Sequence, residues 1–126
     1  MPEQPSKNRI SLGKSFACAW RGIVTASQGR NFRIQCFIGA LAFVLCWIFN
    51  VTGAEFLVVI IFTVAVLSAE CANTALEALV DLVSPNYSEL AGLAKDCSAG
   101  AVLLLSIGAL FAACIIFIPK FLALIG

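Results

Sequence analysis

Apolar residues run along this chain in three long blocks, and the polar positions that break them set the expected architecture. Ile34 to Phe49 reads IQCFIGALAFVLCWIF, Phe56 onward opens with the charge-free FLVVIIFTVAVLSA, and Cys97 to Ile118 is 22 residues without a charge. A helix crossing a bilayer core of ~30 Å needs ~20 such residues. The pattern therefore predicts an all-α membrane protein, one membrane domain over 1–126, with spans at about 32–50, 55–83 and 95–118. Asn50-Val51-Thr52-Gly53 is the turn between the first two spans. Ser84-Pro85-Asn86 stops the second and opens a loop over 84–94, and Pro119 is expected to end the third.

The segment before the first span, about 8–31, has a different period. Leu12, Phe16, Trp20, Ile23 and Val24 share one side of a helix, with Lys14, Arg21 and Gln28 opposite. A basic amphipathic helix edged by tryptophan reads as an interfacial helix lying on the membrane; the alternative is contact with a partner helix. Gly13-Lys14-Ser15 ends like a phosphate-binding loop, but Asn8 stands where that loop needs glycine. No signal for cleavage precedes the first apolar block, so the N-terminal segment is expected to be retained.

Composition adds exclusions. With 61% apolar and 12% charged residues, the chain cannot hydrate the surface of a soluble domain, nor is it disordered. It has no histidine, which removes imidazole dyads and metal sites. Its six cysteines lack metal-ligand spacing and sit mostly in apolar runs, where cysteine acts as a small hydrophobe. Nothing marks a nucleic-acid partner. Six of the eight Lys and Arg residues lie in the first 33 positions, none in the 50–55 turn, and Lys95 next to the 84–94 loop. By the positive-inside rule, the N-terminus and that loop are cytoplasmic, with Lys120 a minor counterweight at the far end.

The informative polar residues are Glu70, Asn73, Glu77 and Asp81. At helical spacing they fall within a sector of about 80° on one face. Glu70 lies about 10 Å along the axis from Glu77, well inside the apolar block. A charged carboxylate there costs about 2.5–3.5 kcal/mol on insertion scales, so the stripe answers to a cavity, a cation or a partner helix. Three readings fit: protonated acids bonding between helices, a proton or cation path serving a small transporter or assembly subunit, and a divalent-cation and general-base site. The stripe reaches the cytoplasmic edge but stops near mid-span, which disfavours a through path. Lys95 and Asp96, expected to open the third helix, add a cation beside free helix amides, a ready phosphate site, although ordinary capping gives the same pair.

The run Glu70-Cys-Ala-Asn73-Thr-Ala-Leu-Glu77-Ala-Leu-Val-Asp81 resembles the E-x-x-N-[ST]-A-[IL]-E-x-x-x-D signature of the small bacterial integral-membrane lipid kinases, the prokaryotic diacylglycerol and undecaprenol kinases. Ala94-Lys95-Asp96 matches their A-K-D, and Trp20-Arg21-Gly22-Ile23 and Arg30-Asn31-Phe32 match weaker landmarks, so the likeness covers about residues 10–120. The resemblance implies a homotrimer in the bacterial cytoplasmic (inner) membrane, with sites shared between subunits. It implies ATP as phosphoryl donor, Mg²⁺ as cofactor and a membrane lipid alcohol as acceptor. By the same resemblance, Glu70 is the catalytic base that meets the lipid hydroxyl. Glu77 holds Mg²⁺, Asn73 supports it, and Lys95, Asp96, Asn86 and Tyr87 contact the nucleotide.

The chain departs from that pattern at two places. Where the family carries a second metal-binding glutamate, this chain has Gly29, next to Gln28, whose carbonyl oxygen is the substitute ligand on offer. The serine that contacts lipid in the diacylglycerol branch is Ala99. Ala99-Gly100-Ala101-Val102 and Ile118-Pro119-Lys120-Phe121 look closer to the undecaprenol branch, which puts undecaprenol ahead of diacylglycerol as the expected acceptor.

Overall fold

The computed structural model describes residues 11–126, in which every regular element is an α-helix: α1 (Leu12–Ala26), α2 (Arg30–Ile48), α3 (Gly53–Val83) and α4 (Glu89–Ile125). Three of them, α2, α3 and α4, are long and apolar enough to cross a membrane. Residues 8–10 of the expected surface helix lie outside the described residues. The rest of that segment forms α1, which stops at Ala26. A tight turn follows, in which Ser27 and Gly29 donate backbone N–H groups to Ile23 (2.9 Å) and Ala26 (3.0 Å). α1 meets α3 through its C-terminal end, where Ala26 is buried, whereas Leu12, Phe16 and Trp20 on its apolar side are exposed, Trp20 by 66%.

The scaffold is an antiparallel pair, α3 on α4, with α2 set against α3. Small residues allow the close approach, as expected where no hydrophobic force drives helices together in lipid. A Cβ at Gly39 of α2 would lie 2.8 Å from Cγ2 of Thr63 on α3, and one at Gly108 of α4 would lie 3.0 Å from the Phe62 ring. Glycine at Gly39 is thus what brings α2 down onto α3. Beside it sits a small core of Cys46, Val59 and Ile116, flanked by Ala42, Val51 and Phe117. Most large apolar side chains, among them Phe37, Trp47, Leu104 and Phe111, face outward. Of the six cysteines only Cys46 is buried within the chain, while Cys18, Cys36 and Cys97 are exposed.

Two ion pairs bracket the α3–α4 hairpin. At one end Lys120 Nζ meets Glu55 Oε2 at 3.0 Å; at the other Lys95 Nζ meets Asp81 Oδ1 at 2.6 Å. Glu55 and Asp81 lie about 39 Å apart along α3. That exceeds a hydrocarbon core of ~30 Å and lets both pairs sit at its borders. Glu55 also closes a capping box with Thr52, each side chain bonding the other's backbone N–H, so the start of α3 is set chemically as well as by the turn.

Two expected boundaries are corrected. Pro119 does not end the third long helix but lies inside α4, which continues to Ile125. Proline in a membrane helix forfeits one backbone bond, which such helices tolerate, and the helix carries Lys120 on to its Glu55 partner. The 84–94 loop is also shorter than expected, because α4 starts at Glu89 after Ser88. Lys95 and Asp96 therefore occupy the second turn rather than the helix start; the first helical bond runs from the Gly92 N–H to the Ser88 carbonyl (3.0 Å), so the amides free to bind an anion belong to residues 89–91 instead.

Candidate active site

The acidic stripe lies on the side of α3 that meets α2 and α4. Glu70 is 5% exposed, the one buried charged residue among those described. Its main-chain carbonyl accepts a bond from Thr74 Oγ1 (2.9 Å), while its carboxylate has no hydrogen-bond partner among the described residues. It lines a cavity of about 220 Å³ together with Asn73, Ala99, and Asn31 and Gln35 of α2. One turn toward the end of α3, Asn73 Nδ2 donates to Glu77 Oε1 at 2.9 Å. Asn73 Oδ1, by contrast, is buried without a partner. Amide and carboxylate thus link the Glu70 pocket to the exposed Glu77.

An orphaned buried oxygen calls for a donor or a cation. Among the described residues no three His, Cys, Asp or Glu side chains converge to cage a metal. Mg²⁺ does not need such a cage: it is commonly held by one or two carboxylates together with substrate phosphates and water. The Glu77 carboxylate and Asn73 Oδ1 are hard oxygen donors of that kind, and they fit it.

The remaining expected residues are distributed unevenly. Lys95 is half-buried and tied to Asp81, so the lysine stands over the outer end of the acidic stripe, held by a side chain rather than set beside helix amides. Asp96 is exposed on the same turn. Asn86 and Tyr87 lie in the 84–88 connection, where Ser84 Oγ bonds the Asn86 carbonyl and the Tyr87 ring is 93% exposed. Gln28 is exposed in the α1–α2 turn and does not line the Glu70 cavity. A Cβ at Gly29 would lie 3.2 Å from the Ala26 carbonyl, so the turn is tight at the place of the family's glutamate. Sequence reasoning gave no role to Asn31, Gln35 or Ser106, all of which line the cavity. The available signal was polar side chains inside an apolar block, which seek partners or function.

The sequence pattern described as prokaryotic diacylglycerol kinase matches residues 17–117. The chain belongs to this family. Among its relatives, a diacylglycerol kinase of Synechocystis sp. is 39% identical over 87% of this chain, and the chain spans 64% of that relative's length. An undecaprenol kinase of Bacillus subtilis is 32% identical over 95% of the chain and 99% of the relative. A diacylglycerol kinase of Escherichia coli K12 is 33% identical over 82% and 85% respectively. The family is one of lipid kinases, phosphotransferases whose acceptor is an alcohol, and the acidic stripe of α3 falls inside the matched region.

Proposed function

We propose that the chain is an ATP- and Mg²⁺-dependent kinase of a membrane lipid alcohol, with undecaprenol ahead of diacylglycerol as acceptor. It works as a homotrimer at the cytoplasmic face of the bacterial inner membrane, as a single multi-pass domain with its N-terminus in the cytoplasm. The observation that carries this reading is that Glu70, 5% exposed, lines one pocket with Asn73, whose amide is bonded to Glu77. A carboxylate placed in a pocket beside the acceptor suits a base that takes a proton from an alcohol.

In the transfer, Glu70 accepts the proton of the lipid hydroxyl as its oxygen bonds to the γ-phosphorus of ATP. The bond to the bridging oxygen breaks and ADP leaves. Lys95 releases Asp81 to meet the nucleotide phosphates, with Asp96, Asn86 and Tyr87 on the same side. Glu77 and Asn73 Oδ1 would hold Mg²⁺, with Gln28 as an outer oxygen donor; bound there, it would supply neutralisation of phosphate charge, and positioning with charge neutralisation supplies most of the catalysis in this reaction class. Beyond the Glu70 cavity, the space between the helices is lined by Ile38, Ala42, Val59 and other uncharged residues, which favours a dead-ended site over a proton path.

The test mixes the purified protein with labelled ATP, Mg²⁺ and a panel of lipid alcohols. Label in a phosphorylated lipid that requires Mg²⁺ supports the kinase. Uptake driven by an ion gradient, with no lipid phosphorylated, overturns it.

A further inference from the structure

Two hollows in the bundle meet at one hydrogen bond. The first is the Glu70 cavity of about 220 Å³; the second, about 310 Å³, continues between α2, α3 and α4 and is lined by Ile38, Ala42, Val59, Ala109, Ala113 and Phe117. Gln35 and Ser106 belong to both linings. Gln35 Nε2 donates to Ser106 Oγ at 3.1 Å, joining α2 to α4 across 71 positions of sequence. The Ser106 hydroxyl in turn donates to the Val102 carbonyl of its own helix at 2.9 Å.

The order of these bonds decides the geometry. A hydroxyl has one proton, and Ser106 spends it on Val102, so toward Gln35 its oxygen can only accept. That selects the amide nitrogen of Gln35 and turns the amide oxygen away from Ser106. The amide is thereby held in one orientation by a main-chain carbonyl two bonds away. In apolar surroundings such a pair resists opening, because each group would be left unmatched.

Resting on Glu70 as the transfer base, we infer that Gln35 and Ser106 form a positioning and specificity element, the floor of the reaction pocket. The floor stops the hydroxyl end of the acceptor at the level of Glu70 and bars its hydrocarbon from the apolar hollow below. The chain of the lipid then leaves sideways into the bilayer. Without the floor, an alcohol slides past Glu70 into apolar space that suits its methylenes better than the polar pocket does.

The experiment compares the full-length wild type with Ser106→Ala and Ser106→Thr, using labelled ATP and a long-chain primary alcohol that carries a photoreactive diazirine a few carbons from its hydroxyl. Ser106→Ala is expected to raise the KM for the alcohol by about fivefold while leaving the KM for ATP unmoved, and Ser106→Thr, which keeps the hydroxyl, to restore it. On illumination, wild type is labelled at Ala99 and Leu103 around the Glu70 pocket, and Ser106→Ala at Ala109 and Ala113. Label on Ala109 in wild type, or an unshifted label map in Ser106→Ala, overturns the floor. The label map is read by mass spectrometry and needs no turnover, so it judges the floor even if no alcohol is phosphorylated, an outcome that would instead overturn the kinase reading. If Ser106→Ala fails to assemble, the label map of wild type and the activity of Ser106→Thr still decide.

Discussion

Replacing Glu70 by glutamine separates a catalytic base from a structural acid, because the two roles predict opposite signs for stability. Glutamine has nearly the same shape and leaves the Thr74 bond to the main-chain carbonyl of residue 70 intact. What it removes is proton affinity. General-base catalysis contributes about 10²–10⁴-fold, or about 2.7–5.4 kcal/mol of barrier, so phosphoryl transfer is expected to fall by that factor at saturating lipid and ATP. Glu70 is 5% exposed, and no described group hydrogen-bonds its carboxylate. Burying an ionised carboxylate costs about 2.5–3.5 kcal/mol at the centre of a span, and the neutral amide avoids most of that. The variant is therefore expected to unfold no more easily than wild type and to keep the wild-type oligomeric state. If the acid instead bonded helices together, losing it would cost about 1–3 kcal/mol of stability. The assay pairs initial rates with labelled ATP and an unfolding titration in mixed micelles. Turnover within a factor of three of wild type would refute the reasoning, as would an activity loss that merely tracks a stability loss above about 1 kcal/mol.

Four further outcomes follow from the same geometry. Glu77→Gln keeps an oxygen for Asn73 Nδ2 but loses its charge, so the Mg²⁺ concentration for half-activation is expected to rise about tenfold; an unmoved Mg²⁺ curve would take Glu77 out of the metal set. Lys95→Ala is expected to raise the KM for ATP about tenfold and the lipid KM far less; equal rises would count against a phosphate contact. The ion pair with Asp81 is partly exposed, so its loss is expected to leave the unfolding midpoint almost unmoved. Gly39→Ala places a methyl 2.8 Å from Thr63 Cγ2 and is expected to cost about 1–3 kcal/mol; adding Thr63→Ser, which deletes that methyl, is expected to recover most of it in the same titration. Gly29→Glu restores the family's acid, but its Cβ lies 3.2 Å from the Ala26 carbonyl; with that turn yielding a few tenths of an ångström, Mg²⁺ is expected to activate at lower concentration, and a weaker Mg²⁺ response would show the turn prevents it.

The three apolar helices and the acidic face of α3 were legible because each rests on a one-dimensional signal. Charge-free runs mark what lipid will accept, and Glu70, Asn73, Glu77 and Asp81 share a face on any α-helix, whatever surrounds it. The helix ends were less legible. Hydropathy registers the apolar stretch and not the helix, so it missed the turns of α4 from Glu89 that are too polar for the bilayer. Pro119 was misjudged because the rule that proline breaks helices describes helices in water, whereas membrane helices tolerate proline by local adjustment that re-satisfies the freed backbone group.

The earlier start of α4 carries the larger chemical consequence. As the first residue of a helix, Lys95 would have shared an anion with backbone amides; in the second turn it faces Asp81 of α3, and its charge is committed until a stronger anion arrives. A nucleotide phosphate, carrying more charge than one carboxylate, is such an anion. Under the proposed function, nucleotide binding would then be an exchange of partners at Lys95 rather than capture by a static phosphate site. The Gln35–Ser106 bond was hidden for a related reason. Each residue reads as an isolated polar defect in its own span, and their meeting depends on which faces of α2 and α4 turn inward, set in part by the missing side chain at Gly39. Local chemistry is written along the chain, whereas partnership is decided by which helix faces approach closely enough to touch.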